Sequence, residues 1–214
     1  MVPMETVFAK FPKMIRDTAK KLDKKIDFRH FGETVEIDKA MIEGLTDPLT
    51  HIVRNAIDHG IESPETRRAH GKSETGTLVM GAEQANGQMI IRIQDNGGGI
   101  KLDKVVARAL ANGVIDSSQA ASMTREEKAM LIFAPGLSTA EAVTDISGRG
   151  VGMDVVMSNI KKLGGVVHVD TEEGIGTTFQ IALPLTLAIL DGLNVRVGEN
   201  QFILPLSSII ESLK

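Results

Sequence analysis

The sequence predicts an α+β fold: a two-layer α/β sandwich whose mixed or antiparallel sheet is covered on one face by helices. Three observations predict it. Strand-like segments 77–83 (TLVMGAE) and 89–94 (MIIRIQ) flank Asn86-Gly87, a dipeptide suited to a two-residue hairpin turn. A second strand pair, 166–170 (VVHVD) and 177–183 (TTFQIAL), is joined by the glycine-bearing TEEGIG. Amphipathic helical patterns run from Asp38 to His59, over 102–111, and from Met153 to Leu163.

Taken in order, residues 4–25 place Val7, Phe8, Phe11, Met14, Ile15 and Leu22 among many Lys and Arg, which predicts one basic amphipathic helix lying on the domain. Segment 26–37 (IDFRHFGETVEI) alternates around Gly32 and predicts a hairpin. The helix from Asp38 is stopped by Gly60, and a loop rich in Glu, Arg, Gly and Ser follows. After DNGGGI (95–100) come the helix at 102–111, a polar stretch over 112–128, and LIFAPGLST (131–139). The helix after DISGRGVG is closed by Gly164-Gly165. Beyond Pro184 the texture changes. Residues 187–197 and 201–206 are strand-like around Gly198-Glu199-Asn200, as expected of the first hairpin of another, truncated domain.

Composition narrows the function. At 214 residues and 42% hydrophobic, the chain can bury a core. A net charge of −4 argues against a surface built to grip nucleic acid. No cysteine means no disulfide framework and no thiolate metal site. No apolar run reaches the roughly 18 residues that span a membrane, and the start MVPMETVFAKFPKM lacks a signal-peptide layout. The expectation is a soluble, cytoplasmic protein with no nucleic-acid partner and no direct membrane insertion.

Two phosphate motifs fail. GKS at 71–73 ends like a P-loop, but Thr66 stands where its first glycine belongs, so it reads as a surface turn. GRGVG, with Asp170 further on, suggests a dinucleotide fingerprint, but Met153 or Val155 stands where its last glycine belongs.

Three other stretches act jointly: THIVRNAIDHG (50–60), QDNGGGI (94–100) and SGRGVGMD (147–154). On an α-helix His51, Asn55 and Asp58 share a stripe about 60° wide, opposite an arc of Leu49, Ile52, Val53, Ala56 and Ile57. An Asn oxygen is a hard ligand that suits Mg²⁺. Asp95 ends a strand, where its carboxylate can accept from an exocyclic amine while the glycines admit a flat ring. Glycines ahead of a helix beginning near Gly152 leave free N–H groups for phosphate oxygens, and Arg149 adds charge. Taken singly, each is equally a solvated helix face, a simple turn or a flexible loop; their order and spacing set them apart.

In these boxes the sequence resembles the Bergerat-type ATP-binding superfamily, which includes gyrase, heat-shock chaperones, mismatch-repair proteins and histidine kinases. HIVRNAIDHG resembles its N box, DNGGG and GRGVG its first two glycine boxes, GIGTT (174–178) the third, and LIFAPGLST the F box of histidine kinases. Within it, DPLTHIVRNAIDHGIE (47–62), MLIFAPGLSTAEAVTDISGRGVGMDVV (130–156) and LPLTLAILDGLNVRV (183–197) resemble the chemotaxis histidine kinases.

The resemblance implies that residues 1–10 end a dimerisation segment, 11–184 form the ATP-binding catalytic domain with an ATP lid over roughly 101–149, and 185–214 begin the regulatory domain. It implies ATP and Mg²⁺ as cofactors. Asn55 would hold Mg²⁺ and the phosphates with His51 beside it, and Arg54, Asp58 and His59 would complete that surface. Asp95 would read adenine, supported by Gly97, Gly99 and Thr177, while Lys104 reaches the phosphates. Ser147, Gly148, Arg149, Gly150 and Gly152 would shape the lid's return. His51, Asn55 and Lys104 are the expected catalytic residues. His30, His70 and His168 lack motif support as phosphoacceptors.

The implied partners are a histidine phosphotransfer domain in trans, a coupling protein and chemoreceptors through the regulatory domain, and response regulators indirectly. The implied full-length protein is a dimer, and this stretch is expected to be monomeric. An ATPase switch and a non-catalytic docking module remain as alternatives. His51, where such switches usually place a water-activating Glu, favours the kinase.

Overall fold

The Asn86-Gly87 turn forms as expected: both residues have positive φ (51° and 73°), the backbone that a tight hairpin requires. It joins β4 (Thr75–Ala85) to β5 (Gln88–Asp95) in register from Leu78↔Asp95 to Ala85↔Gln88. The computed structural model describes residues 1–137, 152–185, 192–197 and 200–205.

Five strands form the main sheet: β2 (Lys25–Phe31), β4, β5, β7 (Gly176–Pro184) and β6 (Val166–Glu172), in that spatial order. β2 runs parallel to β4 and the other pairs are antiparallel, so the sheet is mixed. One face is apolar because side chains alternate across a strand. Met80, Ile93, Phe179 and Val169 form one row across it, and Ala82, Ile91, Ile181 and Val167 the next.

Two helices cover this face. The longer, α3 (Lys39–Asn55), starts at Asp38, whose carboxylate accepts from the Ala40 N–H at 2.9 Å. Met41, Leu45, Leu49, Ile52 and Val53 are buried along its inner side, each worth ~1.5–3 kcal/mol. Pro48 lies inside the helix without ending it. The second is α8 (Met153–Lys162), which packs on α3 and buries Val156 and Ile160.

Elsewhere the structure corrects the sequence reading. Residues 4–25 are not one helix but α1 (Glu5–Phe8) and α2 (Phe11–Lys21), followed by β2 from Lys25. Pro12 opens a new helix, a position where its missing N–H costs nothing. Met4, Val7 and Phe8 belong to the same apolar cluster as the sheet. Segment 26–37 is not a hairpin. β2 pairs with β4, while β3 (Glu36–Ile37) pairs with β1 (Val2–Pro3). Alternation marks a strand but not its partner.

The loop after Gly60 contains α4 (Pro64–Ala69), capped by the Ser63 hydroxyl. After α5 (Leu102–Ala111), the polar stretch contains α6 (Ser117–Ser122) and α7 (Arg125–Met130). Each begins with a capping box, Asp116 with Gln119 and Thr124 with Glu127. Neither carries an apolar stripe: α6 buries no residue and α7 only Ala129. β8 (Gly192–Val197) and β9 (Asn200–Pro205) pair antiparallel as a two-stranded sheet of their own. They fall within the strand-like stretches 187–197 and 201–206, except that Asn200, expected in the turn, belongs to β9. Residues 187–191, 198, 199 and 206 lie outside the described residues.

Candidate functional site

The last row of the sheet's inner face turns polar: beside Leu78 on β4 stand Asp95, Thr177 and Thr171, register partners in turn on β5, β7 and β6. Asp95 and Thr177 are each 5% exposed and Thr171 is 4% exposed. The Asp95 carboxylate accepts from the Gly97 N–H at 2.9 Å. Burial pushes its pKa up to about 6, with the Glu62 charge adding. Hydrogen bonds from the Gly97 and Thr177 backbone, and the Lys72 charge, oppose the rise. A buried carboxylate at the end of a strand is an acceptor held out of water, which suits reading one N–H of a ligand.

The glycines after Asp95 let three backbones meet. A methyl group at Gly97 would overlap the Gly60 carbonyl, and Gly98 donates its N–H to that same carbonyl at 2.8 Å. Gly99 has φ +69°, and a side chain there would overlap the Glu172 carbonyl. The Gly98 carbonyl in turn accepts from the Gly174 N–H at 2.8 Å. The end of the α3 segment, the DNGGG loop and the turn before β7 are thus locked together around Asp95.

The α3 segment arrives there through a π-helical turn over Ala56–Gly60, closed by the Ile61 N–H on the Ala56 carbonyl at 2.7 Å. Such turns are wider than an α-helix and recur at functional sites. Lys24 donates to the carbonyls of Ile57 (2.7 Å) and Asp58 (2.8 Å), a cation at the negative end of the helix. Burial lowers the Lys24 pKa, while Asp58 and Glu62 oppose that shift.

His51 and Asn55 are half-buried on α3, facing the start of α8. The Asn55 Nδ2 donates to Met153 Sδ at 3.1 Å. Burial lowers the His51 pKa, the Arg54 charge adds to this, and Asp154 and Asp58 oppose it. Burial thus favours the neutral ring. Gly152 is the N-cap of α8 and its side chain-free backbone is extended there (φ −93°, ψ 175°). Asp58 is half-buried and His59 exposed. Lys104 lies in the first turn of α5 with its side chain exposed. Ser147, Gly148, Arg149 and Gly150 lie outside the described residues.

Several residues here escaped the sequence reading. Arg67, 1% exposed, donates to Glu62 Oε2 (2.9 Å), the Asn96 carbonyl (3.0 Å) and the Ser73 carbonyl (2.7 Å). Lys72 donates to Glu62 Oε1 (2.9 Å), the Gly97 carbonyl (2.7 Å) and the Asn96 carbonyl (3.3 Å). The GKS segment, read as a surface turn, therefore supplies a cation that holds the glycine loop. No local pattern announces it, because Glu62, Arg67 and Lys72 converge only once α4 folds back. Thr171 was missed for the same reason, although its alternation on β6 puts it on the inner face.

Phe133 of the LIF segment is buried and meets Phe179 edge-on at 6.5 Å between ring centres. An open cleft of about 540 Å³ between α2 and β2, lined by Pro12, Ile15, Arg16 and Phe28 among others, shares no residue with the Asp95 row.

Among the described residues no cluster of three or more His, Cys, Asp or Glu could cage a metal, and no helix is long and apolar enough to cross a membrane.

The chain is 53% identical over 214 residues to the chemotaxis protein CheA of Klebsiella aerogenes, covering 100% of this chain and 32% of that one. It is 47% identical over 212 residues to CheA of Bacillus subtilis, covering 99% and 32%. To the sensor histidine kinase CheAY of Helicobacter pylori it is 45% identical over 214 residues, covering 100% and 27%. It thus spans about a third, or less, of these relatives' length. Among solved structures it resembles the histidine kinase domain of a blue-light activated kinase of Erythrobacter litoralis, with TM-score 0.50 at 15% identity over 86% of this chain and 66% of that one. Acinetobacter baumannii histidine kinase AdeS gives TM-score 0.50 at 16% identity, with coverage of 86% and 66%. These likenesses establish the fold. Residues 44–187, which run from within α3 to three residues past β7 and include Asp95 and its row, match the family as a unit, and the chain belongs to the histidine kinase-, DNA gyrase B-, and HSP90-like ATPases.

Proposed function

We propose that this chain is the ATP-binding catalytic domain of a chemotaxis histidine kinase, which transfers the ATP γ-phosphoryl group to a histidine on a separate phosphotransfer domain. The observation behind this reading is the buried Asp95–Thr177 row, enclosed by the π-turned end of α3 and the glycine loop, in a chain so similar to CheA over its full length. Asp95 accepts from the exocyclic amine of adenine, with Gly97, Gly99 and Thr177 shaping that end. The phosphates then lie toward His51, Asn55 and the N-terminus of α8, whose dipole favours anions.

Asn55 suits Mg²⁺. Its amide N–H is committed to Met153, which leaves the amide oxygen as a single hard ligand. A lone protein oxygen, with no acidic cage among the described residues, fits an ion that arrives with nucleotide phosphates. When bound, Mg²⁺ supplies charge neutralisation. His51, half-buried beside Asn55 with its neutral form favoured by burial, orients the γ-phosphate or the incoming imidazole. In the transfer a P–N bond forms to the acceptor imidazole, the bond from the γ-phosphorus to the β,γ-bridging oxygen breaks, and ADP leaves. The chain's part is positioning and charge stabilisation, with Lys104 and Arg149 as further cations.

On this reading residues 11–184 are the catalytic domain, 1–10 a junction and 185–214 the start of a regulatory domain that docks a coupling protein and chemoreceptors. The whole protein is a cytoplasmic dimer that passes phosphate to response regulators.

The test is label transfer from γ-labelled ATP with Mg²⁺ to a separately supplied phosphotransfer domain, with free phosphate counted in parallel. Acid-labile label on that domain, lost with Asn55→Asp, is expected. Free phosphate without acceptor labelling would favour an ATPase switch and overturn the kinase reading.

A further inference from the structure

Thr171 sits one strand beyond Thr177, buried and paired with it in register. Its hydroxyl has three partners. It donates to the Gly176 carbonyl at 3.1 Å, because a carbonyl can only accept. It accepts from the Ile100 N–H at 2.9 Å. Its third partner is the Thr177 hydroxyl, at 3.0 Å.

A hydroxyl has one proton and two lone pairs. The Thr171 proton is committed to Gly176 and one lone pair to Ile100, so Thr177 must be the donor in the pair. The Thr177 oxygen then has only lone pairs left for anything else it meets. Its register partner on the other side is Asp95, whose carboxylate is likewise an acceptor. The Thr171 backbone is held as well, since Arg125 of α7 donates to its carbonyl from Nε (3.2 Å) and Nη2 (2.5 Å).

We propose that Thr171 is a specificity-determining, positioning residue: by taking the Thr177 proton it turns Thr177 and Asp95 into two adjacent acceptors, which take an exocyclic amine and reject a carbonyl oxygen. The proposal rests on the assignment of this row as the base-reading end of the nucleotide site. It adds that discrimination between a 6-amino and a 6-oxo purine does not reside in Asp95 alone. Were the Thr177 proton free, its hydroxyl would turn and donate to a 6-oxo group, and part of the discrimination would go.

The experiment compares ADP with IDP, which differ at the base and share their phosphates, by titration against the parent chain, Thr171→Val and Thr171→Ser. Valine keeps the shape and removes the hydroxyl. The ADP-to-IDP affinity ratio is expected to fall about fivefold or more in Thr171→Val, mostly through tighter IDP binding, and to stay at the parent value in Thr171→Ser. A structural role alone would weaken both nucleotides together and leave the ratio unchanged, and that result overturns the proposal. Collapse of the ratio in Thr171→Ser also overturns it.

A parent ratio near one would instead overturn the base-reading assignment itself, so the two failures are distinguishable. If the valine variant does not melt cooperatively, the parent chain still decides. In its proton NMR spectrum the Thr177 hydroxyl should be slowly exchanging and close to the Thr171 oxygen. A rapidly exchanging Thr177 hydroxyl counts against the proposal.

Discussion

At the scale of single residues, Asp95 is asked to do two things with opposite preferences. As a buried carboxyl it is more comfortable neutral, and burial pushes its pKa from 3.8 up to about 6. As a reader of an amine it must be ionised. Because the native state holds this proton more tightly than the unfolded chain does, ionised Asp95 subtracts stability above pH 6. The penalty is relieved as pH falls through 6 toward 3.8. Its upper bound is on the order of 3 kcal/mol at pH 7. Asp95→Asn is therefore expected to raise the thermal midpoint at pH 7 and to change it little near pH 4, while lowering the preference for ADP over IDP. A variant melting below the parent at pH 7 would show that the charge is better accommodated than its burial implies. Binding has the reverse sign: in the parent chain the ADP-to-IDP ratio should fall as pH drops through about 6. Using a ratio cancels the titration of the shared phosphates, so a flat ratio from pH 7.5 to 5 would remove Asp95 from the reading.

Arg67 illustrates the opposite arrangement, a buried charge whose needs are met. It faces Glu62 and two carbonyls, one of them in the glycine loop. Arg67→Met leaves Glu62 to Lys72 alone and the Asn96 carbonyl to Lys72 at 3.3 Å. Breaking such a buried pair costs ~3–5 kcal/mol. The expected result is an unfolding free energy, measured by chemical denaturation, lowered by that amount. A change below ~1 kcal/mol would mean that Lys72 suffices.

At the scale of elements, the short helices behave differently from the long ones. α3 is held by five fully or almost fully buried apolar side chains and needs its cap only for its start. α7 is six residues long, below the length at which a helix persists unaided, and its start depends on the Thr124–Glu127 box. It also bears Arg125, which ties it to Thr171. Thr124→Ala is expected to cost about 1 kcal/mol. The loss should appear as faster amide exchange in α7 with little change in α3. Equal loss of protection in both helices would indicate that α7 unfolds only with the whole domain. The T-shaped contact of Phe133 with Phe179 gives the segment after α7 a second anchor, two residues along β7 from Thr177.

At the scale of the whole molecule, the site is a junction of segments far apart in sequence. Gly60, Gly97, Gly98 and Gly174 meet through backbone contacts and hydrogen bonds, and Asp95, Thr177 and Thr171 meet through sheet register. No single element contains the pocket, so a ligand there should stabilise the fold globally. At a hundredfold excess over its dissociation constant, ADP is expected to add about 2.7 kcal/mol to the native state. Thermal melts with and without ADP check this, and an unchanged midpoint at saturation would contradict a nucleotide site built from the native fold.

Much of this was legible in the residues. Strand-like segments around turns marked β4, β5, β6 and β7, alternation over 26–37 marked β2 although not how it pairs, and Asn86-Gly87 marked the central hairpin. The helical period placed α3, α5 and α8, because burial of one stripe is written into local spacing. The N box and the glycine boxes stood out because their order and spacing are themselves linear features. What stayed hidden depends on partners brought together by folding. The partner of β2 and the pairing of Val2–Pro3 with Glu36–Ile37 are choices among edges that alternation does not rank. The Glu62–Arg67–Lys72 clamp and the direction of the Thr177 proton follow from three-dimensional contact alone. Sequence by itself determined which segments could form a sheet, a helix or a close-approach turn, since each is a local steric and solvation property. The tertiary structure alone decided what buried Asp95, and so where it titrates, because burial and hydrogen-bond partners belong to the packed molecule and to no stretch of it.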